Sequence, residues 1–115
     1  MAYEVYEINE AQAQSIINKQ EDYLNDVKAI EIKPAKLSET VSALANAIGG
    51  DIYIGIDEVK ANNTRNWRGF NNQEDANNIT HTLIGCHNLG NHLAFEFLTC
   101  ASHPGYVLHI SVRKV

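Results

Sequence analysis

Two cysteines, no long hydrophobic run and no surplus of positive charge set the first limits on this 115-residue chain. A chain of this length can bury one core without covalent staples, so Cys86 and Cys100 are expected as reduced thiols rather than as a disulfide. No apolar stretch reaches the ~20 residues that a membrane-spanning helix needs. The opening "MAYEVYEINE" is acidic, unlike a secretory signal. A cytoplasmic protein with a single domain over residues 1–115 is the expectation. The formal net charge of −5 argues against a general polyanion binder, because phosphate contacts normally dominate nucleic-acid affinity. Internal repeats, low-complexity tracts and inter-domain linkers are also missing.

The charge is unevenly spread. Seven of the fourteen acids fall within residues 1–31, against only Lys19 and Lys28. From Ile32 to Gly69 the balance turns slightly basic, with Lys33, Lys36, Lys60, Arg65 and Arg68 against Glu39, Asp51, Asp57 and Glu58. A local basic surface on an acidic protein is therefore compatible with the composition.

Hydrophobic periodicity supplies the elements. "INEAQAQSIINKQ" has helical composition, with a partial stripe of Ile8, Ala11, Ile16 and Ile17. "VKAIEIK" alternates, which predicts a strand over 28–33 with Ile30 and Ile32 on one face and Glu31 and Lys33 on the other, ended by Pro34. Leu37, Val41, Leu44, Ala45 and Ile48 follow the 3.6-residue period and predict an amphipathic helix over 36–48. "DIYIGID" alternates again, putting Ile52, Ile54 and Ile56 on one face and Asp51, Tyr53, Gly55 and Asp57 on the other. "EVKANNTRNWRGFNNQED" reads as an exposed polar connection. A helix from Asp75 would turn Ala76, Ile79, Leu83 and Cys86 or His87 inward, and "LAFEFLTC" and "YVLHISVRK" make two closing strands around a Ser102–Gly105 turn. The order α-β-α-β-α-β-β describes an α+β fold, an α/β sandwich whose mixed sheet carries its helices mainly on one face. Ile30, Ile32, Val41, Leu44, Ile52, Ile54 and Ile56 are the expected centre of the core.

The glycines of "SALANAIGGDIYIGID" invite a nucleotide-binding reading. A phosphate-cradling loop follows a strand and opens a helix, so that helix N–H groups face the anion. Here the glycines follow a helix and open a strand, and no Gly-Lys-Ser/Thr accompanies them. They read as a helix stop, and no ATP site is expected. Gly55 differs, since a glycine inside a strand often marks the close approach of another group; it is expected to leave space beside Asp57.

Asp26, Glu31 and Lys33 form D-x4-E-x-K, and Asp57 ends the next strand. Hard carboxylate oxygens with a neighbouring lysine suit Mg²⁺- or Mn²⁺-dependent phosphodiester cleavage, although E-x-K on an amphipathic strand is more often a solvated face. On one unbroken strand Asp26 would point away from Glu31, so convergence needs a bend near Val27. Neither Glu31 nor Asp57 has a basic partner in its own segment except Lys33, so the pair is expected to repel unless a cation intervenes.

"IEIK" followed by "VSALANAIGGDIYIGID" resembles the Schlafen AlbA-type domain, whose pattern joins a Glu-apolar-Lys strand, a helix ending Ala-x-Ala-Asn-x-x-Gly-Gly and a strand ending Ile-Gly-apolar-Asp. The resemblance is dense from Asp26 to Asp57. It implies a nucleic-acid-binding domain and, by likeness to the family's ribonucleases, metal-dependent cleavage of structured RNA such as tRNA, as the effector part of a defence protein. Asp26, Glu31 and Asp57 match the three acidic metal ligands, with Asp26 standing where those nucleases usually carry glutamate, and Lys33 would face the scissile phosphate. Many bacterial members are instead DNA- or RNA-binding modules of transcriptional regulators. The acidic net charge favours a third reading, an interaction or dimerisation domain, working as a homodimer or within a larger host protein.

Lys33, Lys36, Arg65 and Arg68, with Trp67 as a stacking platform, are the expected nucleic-acid contacts; a loop with a partly buried tryptophan is the plainer alternative for Trp67. Asn46 matches the family asparagine and is expected to fix local backbone. His81, Cys86, His87, His92, Cys100, His103 and His109 contain no C-x2-C or H-x3-H spacing, which leaves zinc little support.

Overall fold

A computed structural model describes residues 3–18, 25–59, 61–62, 64–86 and 92–114, with the side chain of Cys86 excepted. The chain runs through β1 (Val5–Ile8), α1 (Glu10–Ile17), β2 (Asn25–Lys28), α2 (Pro34–Asn46), β3 (Gly50–Ile54), β4 (Ile56–Val59), β5 (Thr64–Trp67), a 3-10 turn (Gln73–Ala76), α3 (Asn77–Cys86), β6 (Leu93–Cys100) and β7 (Val107–Val112). Five strands form a mixed sheet in the order β1-β6-β7-β3-β2, and β4 pairs with β5 in a separate ribbon. This is the expected α+β fold. Among the described residues no helix is long and apolar enough to cross a membrane.

The strand-helix-strand unit β2-α2-β3 frames the region of interest. β2 and β3 are parallel, with Asp26 opposite Ile52 and Lys28 opposite Ile54. α2 starts at Pro34, where a missing N–H costs no helical hydrogen bond. It ends two residues earlier than its hydrophobic period suggests, so Ile48 lies outside the helix and is exposed. The Gly49 amide returns to Leu44 O at 2.7 Å. Gly49 has φ +82°, and a Cβ there would stand 2.5 Å from Val112 O. A left-handed stop pressed against β7 therefore admits glycine alone.

The sheet is covered on both sides, and each side has its own core. Ile52 and Ile54 of β3, with Phe97, Leu108, Ile110 and Val112, meet Leu37, Val41, Leu44 and Ala45 of α2 and Ile79 and Leu83 of α3. On the other side Val27, Tyr53, Leu98 and Cys100 meet Ala13 and Ile17 of α1 and Ile56 and Trp67 of the ribbon. Two of the three helices thus share one face.

Several expectations need correction. The strand expected over 28–33 stops at Lys28; Ile32 N closes a turn onto Ala29 O at 3.1 Å, and Ile30 and Ile32 are only partly buried against the first core. Ile56 does not share a face with Ile52 and Ile54, because the chain breaks at Gly55 and delivers Ile56 to the second core. Tyr53, expected on the polar face, is buried in that same core. The polar connection holds the ribbon, in which Ile56 and Trp67 are buried while Glu58, Thr64 and Asn66 are exposed. An edge strand, β1, precedes α1 and runs parallel to β6. Within α1 the buried residues are Ala13 and Ile17, while Ala11 is exposed. Ala76, Ile79 and Leu83 point inward as expected; the Cys86 side chain and His87 lie outside the described residues.

Candidate functional site

Glu31 and Asp57 are brought together by two breaks in regular structure. The first is the turn after β2, which carries Glu31 and then Lys33, the N-cap of α2. The second is Gly55, which separates β3 from β4. Its φ is +121°, and a Cβ there would lie 3.1 Å from Gly69 Cα and 3.3 Å from Val107 Cγ2. Close backbone approach, the reading that a strand glycine invites, is what occupies this position; the open space expected beside Asp57 is filled by the Gly69 backbone. Gly55 O accepts from both Arg68 N and Gly69 N at 2.8 Å, and Gly55 N donates to Lys28 O at 2.8 Å. These bonds tie the end of β2, the β3–β4 break and the end of β5 to one point.

Arg68 leaves that point toward both acids. Its Nη2 donates to Glu31 Oε1, and its Nε stands 3.3 Å from Asp57 Oδ2. The second contact is an ion-pair distance only, since the buried Nε has no aligned hydrogen-bond acceptor. The repulsion expected between the two carboxylates is relieved by a guanidinium from a later segment. That hydrogen bond holds the Glu31 carboxyl below its ordinary value against the opposing desolvation, with lesser help from a backbone N–H and the Arg68 charge.

Asp26 stands apart from this bridge. Its carboxylate pairs with Lys28 Nζ at 3.3 Å on the sheet edge. Asp26, Glu31 and Asp57 do not together bring ligand oxygens within 4.8 Å of one another. The bend that parity demands is present, but it comes after Lys28 rather than near Val27.

The basic residues divide into two groups. Lys33 and Lys36 are exposed, and among the described residues their side chains make no ion pair or hydrogen bond. Arg65 is mostly buried, 3.6 Å from Glu58 and donating to Ile17 O at 3.4 Å, which ties the ribbon to α1. Trp67 is 5% exposed; its indole donates to Pro104 O at 3.0 Å and stacks on His103. Its place is the second core. Asn46, the last residue of α2, is exposed.

The Schlafen AlbA_2 family pattern matches residues 11–115, nearly the whole chain. The chain belongs to the Schlafen AlbA_2 family. No curated protein gives a significant match. The AlbA_2 match extends past the segment that carried the resemblance, through the ribbon, α3 and the closing hairpin, and membership suggests a nucleic-acid-binding domain.

Two further polar clusters of this AlbA_2 domain escaped the sequence. His109 lies between carboxylates, Nδ1 2.6 Å from Glu96 Oε1 and Nε2 2.7 Å from Asp51 Oδ1, with its ring stacked on Tyr53. Burial, with Asp51 and Glu96 nearby, pushes the Tyr53 hydroxyl up to about 12. Glu96 in "FEF" and His109 in "LHI" are polar interruptions of apolar strands, and the antiparallel register sets them opposite each other. The other cluster joins Glu10, Cys100, Ser102 and His103. Its signal was the Cys100-x-x-His103 spacing, which neither of the two zinc spacings sought in the sequence would have caught.

Proposed function

We propose that this AlbA_2 domain binds structured RNA, of which tRNA is the type, at the rim formed by Glu31, Asp57, Arg68 and Lys33, and hydrolyses a phosphodiester there with Mg²⁺ or Mn²⁺. The observation that carries the reading is the Arg68 bridge: two carboxylates from separate segments share one cationic group. Hard oxygen donors that already hold a positive charge between them fit a hard divalent ion. Glu31 and Asp57 would hold it, and Asp26 would join on release from Lys28; the ion, when bound, supplies Lewis-acid chemistry at the phosphate.

The chain's own residues would share the remaining work. Lys33 and Lys36, free of acidic partners among the described residues, would take the phosphate backbone, and Lys33, the N-cap of α2, would face the scissile group. Arg68, beside both acids, would serve as a bidentate phosphate ligand and stabilise charge as it develops. Arg65 and Trp67 contribute by holding the ribbon that presents Arg68.

A second reading has its own support. Arg68 neutralises Glu31 and Asp57, and Lys28 neutralises Asp26, so the rim could serve as a binding surface without cleavage. Incubating the purified domain with tRNA in Mn²⁺ or in EDTA separates the two. Cleavage in Mn²⁺ that disappears in EDTA and in Glu31→Gln is the expected result. Cleavage that survives in EDTA overturns the metal mechanism. A mobility shift without cleavage establishes the binding module, and neither shift nor cleavage at low salt leaves the interaction-domain reading.

A further inference from the structure

Glu10, Cys100 and His103 form a cluster separate from the carboxylate rim, with sulfur and nitrogen donors that the rim lacks. Glu10 opens α1, immediately after Asn9, whose side chain accepts from Gln12 N at 2.8 Å while Asn9 N donates to Gln12 Oε1 at 2.9 Å. This capping box fixes the direction in which the first turn leaves. Cys100 ends β6, and the turn that follows is closed by His103 N donating to Cys100 O at 3.0 Å. The turn sets the thiol and the imidazole of a C-x-x-H pair on one side.

The side chains converge closely. His103 Nε2 stands 3.0 Å from Glu10 Oε2, and Cys100 Sγ stands 3.8 Å from that same oxygen. One ligand atom from each of the three lies within 4.8 Å of the other two. Zinc bonds of about 2.0–2.3 Å in tetrahedral array place their donors about 3.3–3.7 Å apart, which is the scale of this cluster. The His103 ring is pinned by stacking on Trp67, with centroids 5.4 Å apart. Cys100 is buried, whereas Glu10 is exposed. A cavity of about 450 Å³ adjoins the cluster, lined by Glu10, Cys100 and Ser102 among others.

A hydrogen-bonded turn explains part of this arrangement. Glu10 accepts from Ser102 and from Gln14, and those bonds, more than His103, draw its carboxyl down to about 2. Cys100 Sγ also stands 3.3 Å from Ser102 Oγ, so the serine hydroxyl neighbours the thiol as well as Glu10. At 3.8 Å the S–H is a poor donor to a carboxylate that already has three better partners. A buried sulfur facing an anion and an imidazole is better matched to a cation that all three can share.

We infer that Glu10, Cys100 and His103 form a site for one zinc ion, bound through a carboxylate oxygen, the thiolate sulfur and an imidazole nitrogen. The mixed sulfur, nitrogen and oxygen set selects zinc over Mg²⁺ or Mn²⁺. Binding releases the Cys100 proton to solvent. Three protein donors leave one tetrahedral position for a small ligand, to which the cavity gives access. Glu10 lies one residue before the stretch that the family pattern matches, and Cys100 and His103 lie within it.

Cobalt(II) reports the test, because a thiolate bound to it gives a charge-transfer band in the near ultraviolet. The reduced protein is expected to take up one equivalent of Co²⁺ with that band, and Zn²⁺ should displace it. Cys100→Ser should lose the band and Cys86→Ser should keep it. Glu10→Gln and His103→Ala should each weaken Zn²⁺ binding by about tenfold or more. Glu10 is exposed, so its variant decides the matter even if Cys100→Ser fails to fold. A band that is absent from the native protein, persists in Cys100→Ser, or disappears in Cys86→Ser overturns the site, as does unchanged Zn²⁺ affinity in Glu10→Gln.

Discussion

The two faces of the central sheet are built on different rules. The α2/α3 face is a continuous apolar layer in which Ile52, Ile54, Leu108 and Ile110 are fully buried. The α1/ribbon face is apolar only in part. Tyr53, Val107 and Leu98 are buried, and on the same face His109 sits between Asp51 and Glu96. One face is an apolar layer, and the other, with the ribbon hung from its edge, holds polar groups among its buried residues. The switch between them is Gly55, where β3 ends and the chain crosses to the ribbon.

Ile54→Ala is the sharpest way to break this contrast. Removing a fully buried side chain from the α2/α3 face should cost about 2–5 kcal/mol, a large share of the stability of a domain this small. Chemical denaturation checks it. A near-neutral result would mean that the apolar layer is not where the stability lies.

Gly55→Ala comes next. A side chain at φ +121°, 3.1 Å from the Gly69 Cα, should cost about 1–3 kcal/mol of strain and should displace Arg68, whose amide bonds Gly55 O. Gly85→Ala supplies the opposite sign. Gly85 is exposed in α3, and a Cβ added there would meet nothing within 4 Å, so alanine should stabilise by up to about 1 kcal/mol. Thermal melts of the two variants should move in opposite directions.

The difference between the faces also explains what the sequence could reveal. Leu37, Val41, Leu44 and Ala45 repeat at helical spacing because a single continuous layer receives them, and Ile52 and Ile54 alternate for the same reason. Alternation cannot report a change of face, so Ile56 continues the pattern although the chain has crossed to the second core. The ribbon was hidden because only Ile56 and Trp67 of its paired residues are buried hydrophobics, too few to impose a period. Glu31 and Asp57 were legible as two carboxylates in need of a cation. The role of Arg68 as their partner was not, since it lies 37 residues beyond Glu31 and is aimed by Gly55 rather than by any local motif.

RNA binding should divide the cations as their surroundings do. Lys33→Ala with Lys36→Ala should lower the slope of log affinity against log salt by about two, one for each phosphate no longer neutralised, with little change in stability. Arg65→Ala should do the reverse, because its guanidinium joins Glu58 and the end of α1. A salt slope that drops with Arg65 and not with the lysines would move the binding surface to the ribbon's outer side.

The smallest expected effect lies in the Arg68 bridge itself. Glu31 is exposed, so its ion pair is screened by solvent and adds little to stability. Its titration is a finer probe. Arg68 holds the folded-state carboxyl below the ordinary value of 4.5. A depressed carboxyl stabilises the folded state above its unfolded value, and that contribution fades as pH falls from about 4.5 through the lower folded value. Arg68→Ala removes the cause. Carboxyl-carbon NMR should then show Glu31 moving up toward 4.5, and the acid side of the stability profile should flatten slightly over the same interval. A Glu31 titration that is identical with and without Arg68 would mean that the two acids are not bridged in solution. The carboxylate rim would then stand open to a divalent ion from the start, with no guanidinium to displace.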